Sequence, residues 1–486
     1  MQPEPADAVA ALVSEYGIAG RRIREMIATL AAGPTTLDDL VRAHAAPRRT
    51  AEALLRAAGA DLRTEGGTVL LDPSVVPVYR DRFALAALPG VPAVPGMAAL
   101  IANAPKADRA LDHVSATAGT AERRAQWLAS TYDLAGARLV CVGDHDLTSL
   151  AVAKACPDAK ITVVDVDERL LAYIDAQGAG IACYHADLRF GLPPAVAGSG
   201  DVIFTDPPYT PEGVQLFLGR GAQALRDRAN GRLVMAYGFS PLTPALGLKV
   251  QRAVLDLDLV IEAMLPAFNR YHGAQAVGSA SDLYVCRPTA STWQVLDRRL
   301  NALAGSANIY THGEQSLEAD TPKPDAAKGP ARILGGGPVK ADELTVDLTG
   351  DPGPWLARVL LALNVAKVAL LVPNNHPDLR DEQSQAALRA LVGGKYELRL
   401  LRSTPGPRQA TVEATLRPDD GVAGWLLTHV HGKIGNVLRD ALIRADPALS
   451  RAAAQARAAE LIGRDDFLDA RLIDLPRHAI LSLLRS

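Results

Sequence analysis

The chain of 486 residues predicts an α/β protein organised around a doubly wound, mostly parallel sheet. Three observations carry that prediction. Across residues 95–312, apolar runs of strand length alternate with segments of helical spacing, the pattern of parallel strands joined by helical crossovers. Four successive runs lead into aspartates. The run Asp201-Val-Ile-Phe-Thr stops most abruptly, at Asp206-Pro207-Pro208-Tyr209, because proline has no amide with which to continue a ladder. Asp206 is thereby placed at a strand's carboxyl end, the edge at which open α/β sheets bind ligands.

Residues 1–85 read as helices followed by a hairpin. Apolar spacing at Val9, Leu12 and Val13 predicts a first helix and Ile23 to Leu30 a second. Thr35-Thr36-Leu-Asp-Asp39 is a capped start leading into Val41, and Arg49 to Ala58 forms a further helix. Leu62 to Leu71 alternates around Gly66-Gly67, the signature of a two-stranded wing, so this part has the winged-helix order. Binding duplex DNA would need a one-signed basic face. Asp38, Asp39, Glu52, Asp61 and Glu65 instead offset the arginines, and no lysine precedes Lys106, so packing or dimerisation is the expected use.

Within 95–312 the expected strands are Arg138–Val142, Ile161–Val164, Gly180–Tyr184, Asp201–Thr205, Arg232–Tyr237, Val260–Leu265 and Asp282–Cys286. Leu147–Ala155, Glu168–Ala176 and Val214–Leu225 have helical spacing. Residues 313–342, rich in Pro, Gly, Ala and Lys, read as a linker. Beyond it Leu344–Leu348, Val368–Val372, Tyr396–Leu401 and Ala410–Leu416 read as strands and the chain from Ala423 as helical. Residues 343–486 are therefore expected to form a smaller α/β domain with a helical carboxyl terminus. His429-Val-His431 reads as polar surface, since no companion ligands accompany the pair.

Composition bounds the function. A hydrophobic content of 48% suits a globular chain with sizeable cores. The net charge of -3 leaves no excess of Lys and Arg to neutralise a phosphate backbone or an anionic membrane, and a cationic or neutral small substrate is easier to accommodate. Cys141, Cys156, Cys183 and Cys286 include no Cys-x-x-Cys pair and three lie in apolar runs, a pattern of reduced cytoplasmic thiols. The acidic start Met1-Gln-Pro-Glu-Pro-Ala-Asp lacks an apolar export segment, and the longest apolar stretch, Val359 to Pro373, is broken by Asn364 and Lys367. Neither export nor a membrane span is expected.

The strand ends supply the chemistry. Val142-Gly143-Asp144-His145-Asp146-Leu147-Thr148-Ser149 turns on one glycine and puts carboxylates where a phosphate loop leaves amides free, so the loop suits a cation. Helix capping accounts for one of these acids more readily than for two. Val164-Asp165-Val166-Asp167-Glu168 follows at roughly 20 residues, the spacing of an acid that accepts from ribose hydroxyls. His185-Ala186-Asp187-Leu188-Arg189 offers an acid to an adenine amino group. Asp206-Pro-Pro-Tyr209 resembles the amine-handling motif of adenosylmethionine-dependent enzymes. Asp206 and the Pro207 carbonyl would accept from an attacking N–H and aim its lone pair, with the Tyr209 ring against a cationic or planar group.

Arg109-Ala-Leu-Asp112-His113 with Thr117-Ala-Gly-Thr120, Gly143-Asp-His-Asp146, His185-Ala-Asp187-Leu-Arg189, Thr205-Asp-Pro-Pro-Tyr-Thr-Pro-Glu-Gly213 and Pro266-Ala-Phe-Asn-Arg-Tyr271 together resemble the branched-chain polyamine synthases. The resemblance covers roughly residues 1–315, so the carboxyl-terminal domain lies beyond it. It implies a winged helix preceding a Rossmann-like, methyltransferase-like domain. It also implies transfer of aminopropyl groups from decarboxylated S-adenosylmethionine to the internal nitrogen of spermidine.

The implied donor site is Gly143, Asp144, His145, Asp165, Asp167, Asp187 and Asp206, with Asp165 at the ribose, Asp187 at the adenine, and Asp144 and Asp146 at the amine tail. Asp206, Tyr209, Asp144 and Asp146 are the implied catalytic residues, Asp206 also drawing off a proton. Pro207, Tyr209, Glu212, Phe268 and Tyr271 would bind the acceptor amine. In two places the chain departs from the family. His145 stands for the middle aspartate of a Gly-Asp-Asp-Asp loop, and Asp112-His113 for an Asp-Gln pair. A histidine can meet the carboxylate of intact S-adenosylmethionine. Methyl or aminocarboxypropyl transfer from that donor to a small amine or amino acid is therefore the alternative reading, and a non-catalytic sensor of nucleoside or polyamine a further one. A cytoplasmic homodimer acting on a small cationic amine is expected, with no nucleic acid, membrane or metal involved.

Overall fold

The computed structural model describes residues 4–485 apart from 89, 275–277, 304–308, 312–327, 337–338, 340, 351–353 and 419–420. In the amino-terminal part, helices Pro5–Glu15, Arg21–Ala32, Leu37–His44 and Arg48–Ala58 precede β1 (Leu62–Glu65) and β2 (Thr68–Leu71), an antiparallel pair. Leu37–His44 starts at Thr36, whose hydroxyl accepts the Asp39 amide at 3.0 Å and so satisfies an orphan donor of the first turn. Val9, Ile23, Met26, Leu30, Leu40 and Leu54 pack into a core of their own. The charge balance read from sequence is realised as pairs, Arg48 meeting Asp38 at 2.8 Å and Glu52 at 3.0 Å. This unit rests on the central sheet through Asn230, which donates to the Glu15 carbonyl at 3.0 Å, and through an Arg24–Asp133 ion pair.

β3 (Arg138–Val142), β4 (Lys160–Asp165), β5 (Ala182–His185), β6 (Val202–Thr205), β7 (Arg232–Tyr237), β8 (Leu259–Arg270) and β9 (Ala280–Pro288) form one sheet in the order β5-β4-β3-β6-β7-β9-β8. β3 to β7 are mutually parallel, and β9 runs antiparallel between β7 and β8. This is a Rossmann-like, doubly wound open sheet. Every residue of β6 and β7 is buried, as central strands covered on both faces require. Because β3 lies between β4 and β6, the winding reverses there, and a crevice opens beyond the carboxyl ends of these strands. β8 extends past the expected Leu265 to Arg270, with a register irregularity between Leu265 and Asn269.

The expected linker 313–342 falls largely outside the described residues; its described part includes a helix, Lys328–Leu334. Then β10 (Glu343–Asp347), β11 (Lys367–Pro373), β12 (Tyr396–Leu401) and β13 (Gln409–Leu416) form a second sheet in the order β10-β11-β13-β12, followed by helices from Gly421 onward. Its core is continuous with that of the central sheet, Leu356, Leu360 and Leu370 clustering with Val164, Tyr184 and Leu188. His429 stacks on Trp425 with ring centroids 4.0 Å apart. No helix among the described residues is long and apolar enough to cross a membrane.

Candidate active site

A cavity of about 780 Å³, within the range of ligand clefts, opens at the carboxyl ends of β3, β4, β5 and β6. After β3 the backbone turns on Gly143 at φ +71°, where a Cβ would also come within 3.2 Å of the Phe217 ring. Glycine satisfies both demands. The Asp144 carboxylate accepts the Ser149 amide at 3.2 Å and the Ser149 hydroxyl, capping helix Thr148–Ala155; burial is the main cause that pushes it up to about 7. Asp165 accepts the amides of Asp144 at 3.0 Å and Asp167 at 2.8 Å, so it joins the loops after β3 and β4; burial lifts it to about 6. Asp187, after β5, takes Arg189 through Nε at 2.9 Å and Nη2 at 2.6 Å, and the Trp355 indole N–H at 2.9 Å.

His145 and His113 stack with centroids 4.2 Å apart and ring planes 12° apart. Burial, the largest cause in both, holds their basicity below that of a free imidazole, so the pair faces the cavity uncharged at neutral pH. Asp112 accepts the amide and hydroxyl of Thr311, each at 2.6 Å. Thr210 reaches the Ile309 carbonyl at 2.7 Å, and residues 309–311 thereby close one side of the cavity.

Arg124 is the electrostatic centre. Fully buried on helix Ala118–Thr131, it donates to Asp146 at 2.9 Å, Asp206 at 2.7 Å, Asn269 at 2.8 Å and Thr148 at 3.2 Å, and lies 4.9 Å from the Phe204 ring centroid. Asp146 also accepts the Ala116 amide at 2.7 Å. Tyr271 donates to Asp206 at 2.7 Å, and the Tyr209 hydroxyl donates to that of Tyr271 at 3.3 Å. One guanidinium thus serves two carboxylates, Asp146 buried and Asp206 half-buried, that cannot both be charged so close together at no cost. Burial, with Asp146 adjoining, pushes Asp206 up to about 7 against the pull of Arg124 and Tyr271. A carboxylate poised near neutrality at a strand end is suited to accepting a proton from a bound amine.

Gly143, Asp144, His145, Asp146, Asp165, Asp187, Asp206, Pro207, Tyr209 and Tyr271 all line this one cavity. The cation that the loop after β3 was expected to meet is, for Asp146, the chain's own Arg124. Three expected residues, Asp167, Glu212 and Phe268, are not among the lining. Asp167 caps helix Glu168–Ala176, forks with Arg169 at 3.0 Å and 2.7 Å, and has its other close partner in His113, whose Nδ1 lies 4.0 Å from Oδ2, so it stands behind the lining rather than in it. Glu212 lies in the first turn of helix Pro211–Ala224, with Oε2 buried and unpartnered among the described residues. Phe268 packs edge-on against Trp127 at 6.3 Å, because the irregularity between Leu265 and Asn269 breaks the alternation of β8.

Arg124, the His113 side of the stack and Trp355 were not assigned roles from sequence. The available signal for Arg124 was an arginine at the helical spacing of Ala121, Ala125 and Leu128, on the apolar face. Among the described residues no group of three or more His, Cys, Asp or Glu could hold a metal ion.

Residues 96–317 match the family model described as the branched-chain polyamine synthase A C-terminal domain. An uncharacterised protein of Methanocaldococcus jannaschii is 37% identical over 181 residues, 36% of this chain and 45% of that protein. The N(4)-bis(aminopropyl)spermidine synthase of the same organism is 30% identical over 180 residues, 35% of this chain and 51% of the relative. That of Thermus thermophilus is 32% identical over 145 residues, 29% of this chain and 41% of the relative. The match spans about half the length of these curated relatives. Among solved structures, the branched-chain polyamine synthase of Thermus thermophilus in complex with N4-aminopropylspermidine and 5′-methylthioadenosine is similar at 21% identity and a TM-score of 0.34, covering 58% of this chain and 92% of that one.

Proposed function

We propose, from the match of residues 96–317 to the branched-chain polyamine synthase model and from the likeness to N(4)-bis(aminopropyl)spermidine synthases, that this chain is a transferase moving an aminopropyl group from decarboxylated S-adenosylmethionine to an amine nitrogen of a polyamine such as spermidine. The observation that carries the proposal is Asp206, half-buried at the end of β6, hydrogen-bonded by Arg124 and Tyr271 and opening onto a cavity lined by acids.

The lining counts six aspartates, Asp112, Asp144, Asp146, Asp165, Asp187 and Asp206, against one arginine, Arg109, among the described residues. Arg124 and Arg189 offset Asp146, Asp206 and Asp187 from within the chain, and the lining still offers an excess of carboxyl groups that favours a cation over an anionic metabolite. Asp165 and Asp187 take the nucleoside end of the donor. The acceptor N–H donates to Asp206 and the Pro207 carbonyl, which points the nitrogen lone pair at the carbon attached to sulfur. As the nitrogen–carbon bond forms, the carbon–sulfur bond breaks and its electron pair stays on sulfur as a neutral thioether. The proton left on nitrogen passes to Asp206.

The uncharged His113–His145 stack bears on the choice of donor. Intact S-adenosylmethionine carries a carboxylate that would enter among Asp144, Asp146 and Asp165 with no cation from the histidines to offset it. The decarboxylated donor brings only an ammonium. The amino-terminal unit is read as a winged helix used for packing, and the enzyme as cytoplasmic, in keeping with its free thiols at Cys141, Cys156, Cys183 and Cys286.

The proposal is tested by incubating the protein with each donor, with and without spermidine, and following nucleoside release. Release of 5′-methylthioadenosine from the decarboxylated donor, dependent on the polyamine, is expected. Release of S-adenosylhomocysteine from the intact donor would establish methyl transfer instead. A pH dependence follows from the same chemistry. Asp206 accepts a proton only as the carboxylate, so kcat should rise with pH through about 7 and level off above it. A kcat flat across neutrality would remove Asp206 as the acceptor.

A further inference from the structure

The carboxyl-terminal domain grips both strand ends that form the nucleoside half of the cleft. At β5, Trp355 is buried, and its indole N–H meets Asp187 at 2.9 Å. Its ring lies 5.0 Å from the Arg189 guanidinium carbon, the same guanidinium that forks onto Asp187. Phe190 closes the other approach, 5.3 Å from the Trp355 ring. The carboxylate, its arginine and the indole therefore form one cluster, in which the indole alone comes from beyond residue 343.

At β4, Glu168 lies three residues after Asp165 and pairs with Arg358 of the carboxyl-terminal domain, whose guanidinium also donates to the carbonyls of Ile473 at 2.7 Å and Leu475 at 2.8 Å. The Arg477 amide reaches the second oxygen of Glu168 at 2.8 Å, and its guanidinium forks onto Asp378 at 2.6 Å and 3.0 Å. These are two separate attachments, one behind each of the acids assigned to ribose and adenine.

We infer that residues 343–486 complete the donor site from behind, with Trp355 the positioning residue that holds Asp187 toward the adenine of the bound nucleoside. The inference rests on the proposed reading of Asp187. It gives the domain beyond the family match a task at the same site: setting affinity for the donor while leaving the amine side, built on Arg124, Asp206 and Tyr271, untouched.

Trp355→Phe in the full chain keeps an aromatic ring beside Arg189 and removes the donor to Asp187 together with part of the indole's volume. It should raise the Kd for 5′-methylthioadenosine and the KM for the donor about tenfold, the scale of one hydrogen bond to a charged group. The KM for spermidine and kcat should stay within about twofold. Trp355→His, which retains a ring N–H, should recover part of the affinity. In the unaltered chain, bound 5′-methylthioadenosine should slow amide exchange in 187–190 and in helix Pro354–Ala362 together. Unchanged nucleoside affinity in Trp355→Phe, an equal rise in both KM values, or protection of 187–190 without 354–362 would overturn the inference. An unaltered chain that does not bind 5′-methylthioadenosine would overturn the reading of the site itself, and the inference with it.

Discussion

Asp206→Asn is expected to leave a folded protein that binds 5′-methylthioadenosine normally and turns over about 10²–10⁴-fold more slowly, the range for loss of a positioned acid–base group. The amide keeps the shape of the carboxyl and an oxygen for Arg124 and Tyr271, which contact Asp206 at 2.7 Å each, but it cannot take a proton from the amine. Arg124 retains Asp146, so a balanced ion pair replaces a crowded triad, and stability should hold or rise. The nucleoside contacts belong to β4 and β5 and are not disturbed. The measurement is kcat with both substrates saturating, beside the nucleoside Kd. Undiminished turnover would remove Asp206 from the chemistry.

Arg124→Met, on the helix packed against the central sheet, should be strongly damaging. It leaves Asp146 and Asp206 facing each other without their shared cation and unpins helix Ala118–Thr131 from Asn269. Breaking a buried pair by removing one partner costs about 3–5 kcal/mol. Urea unfolding at neutral pH should show a loss of that size, with activity gone. The sign of the pH dependence follows from the same acids. Without Arg124 their folded-state pKa values rise above those of the unfolded chain, so the penalty is largest at high pH and shrinks as acid protonates them. A variant as stable as its parent at neutral pH would show that the acids are balanced some other way.

These two residues also show what sequence makes legible. Asp206 was readable because strand chemistry is local: Val202–Thr205 is wholly apolar, and Pro207-Pro208 must end it. The central strands stood out for the same reason, β3 and β7 having the expected bounds. Arg124 was hidden because its partners Asp146, Asp206 and Asn269 are 22, 82 and 145 residues away, and nothing in a helix announces which distant charge it meets. Phe268, expected from the resemblance alone, lies outside the lining, where β8 passes through a register irregularity that no local pattern announces. Asp167 shows why an acid at a strand end is ambiguous in sequence, since a capping acid and a ligand acid look alike until their neighbours are placed. Trp355 lay beyond reach, since a contact across 168 residues between separate sheets leaves no local pattern.

The mass of the amine product reads the bond made at Asp206 directly. After incubation with decarboxylated S-adenosylmethionine and spermidine, the product should be heavier by one or two aminopropyl units, with fragmentation placing them on the internal nitrogen. A methyl or aminocarboxypropyl increment from intact S-adenosylmethionine, or no adduct from either donor, would contradict it.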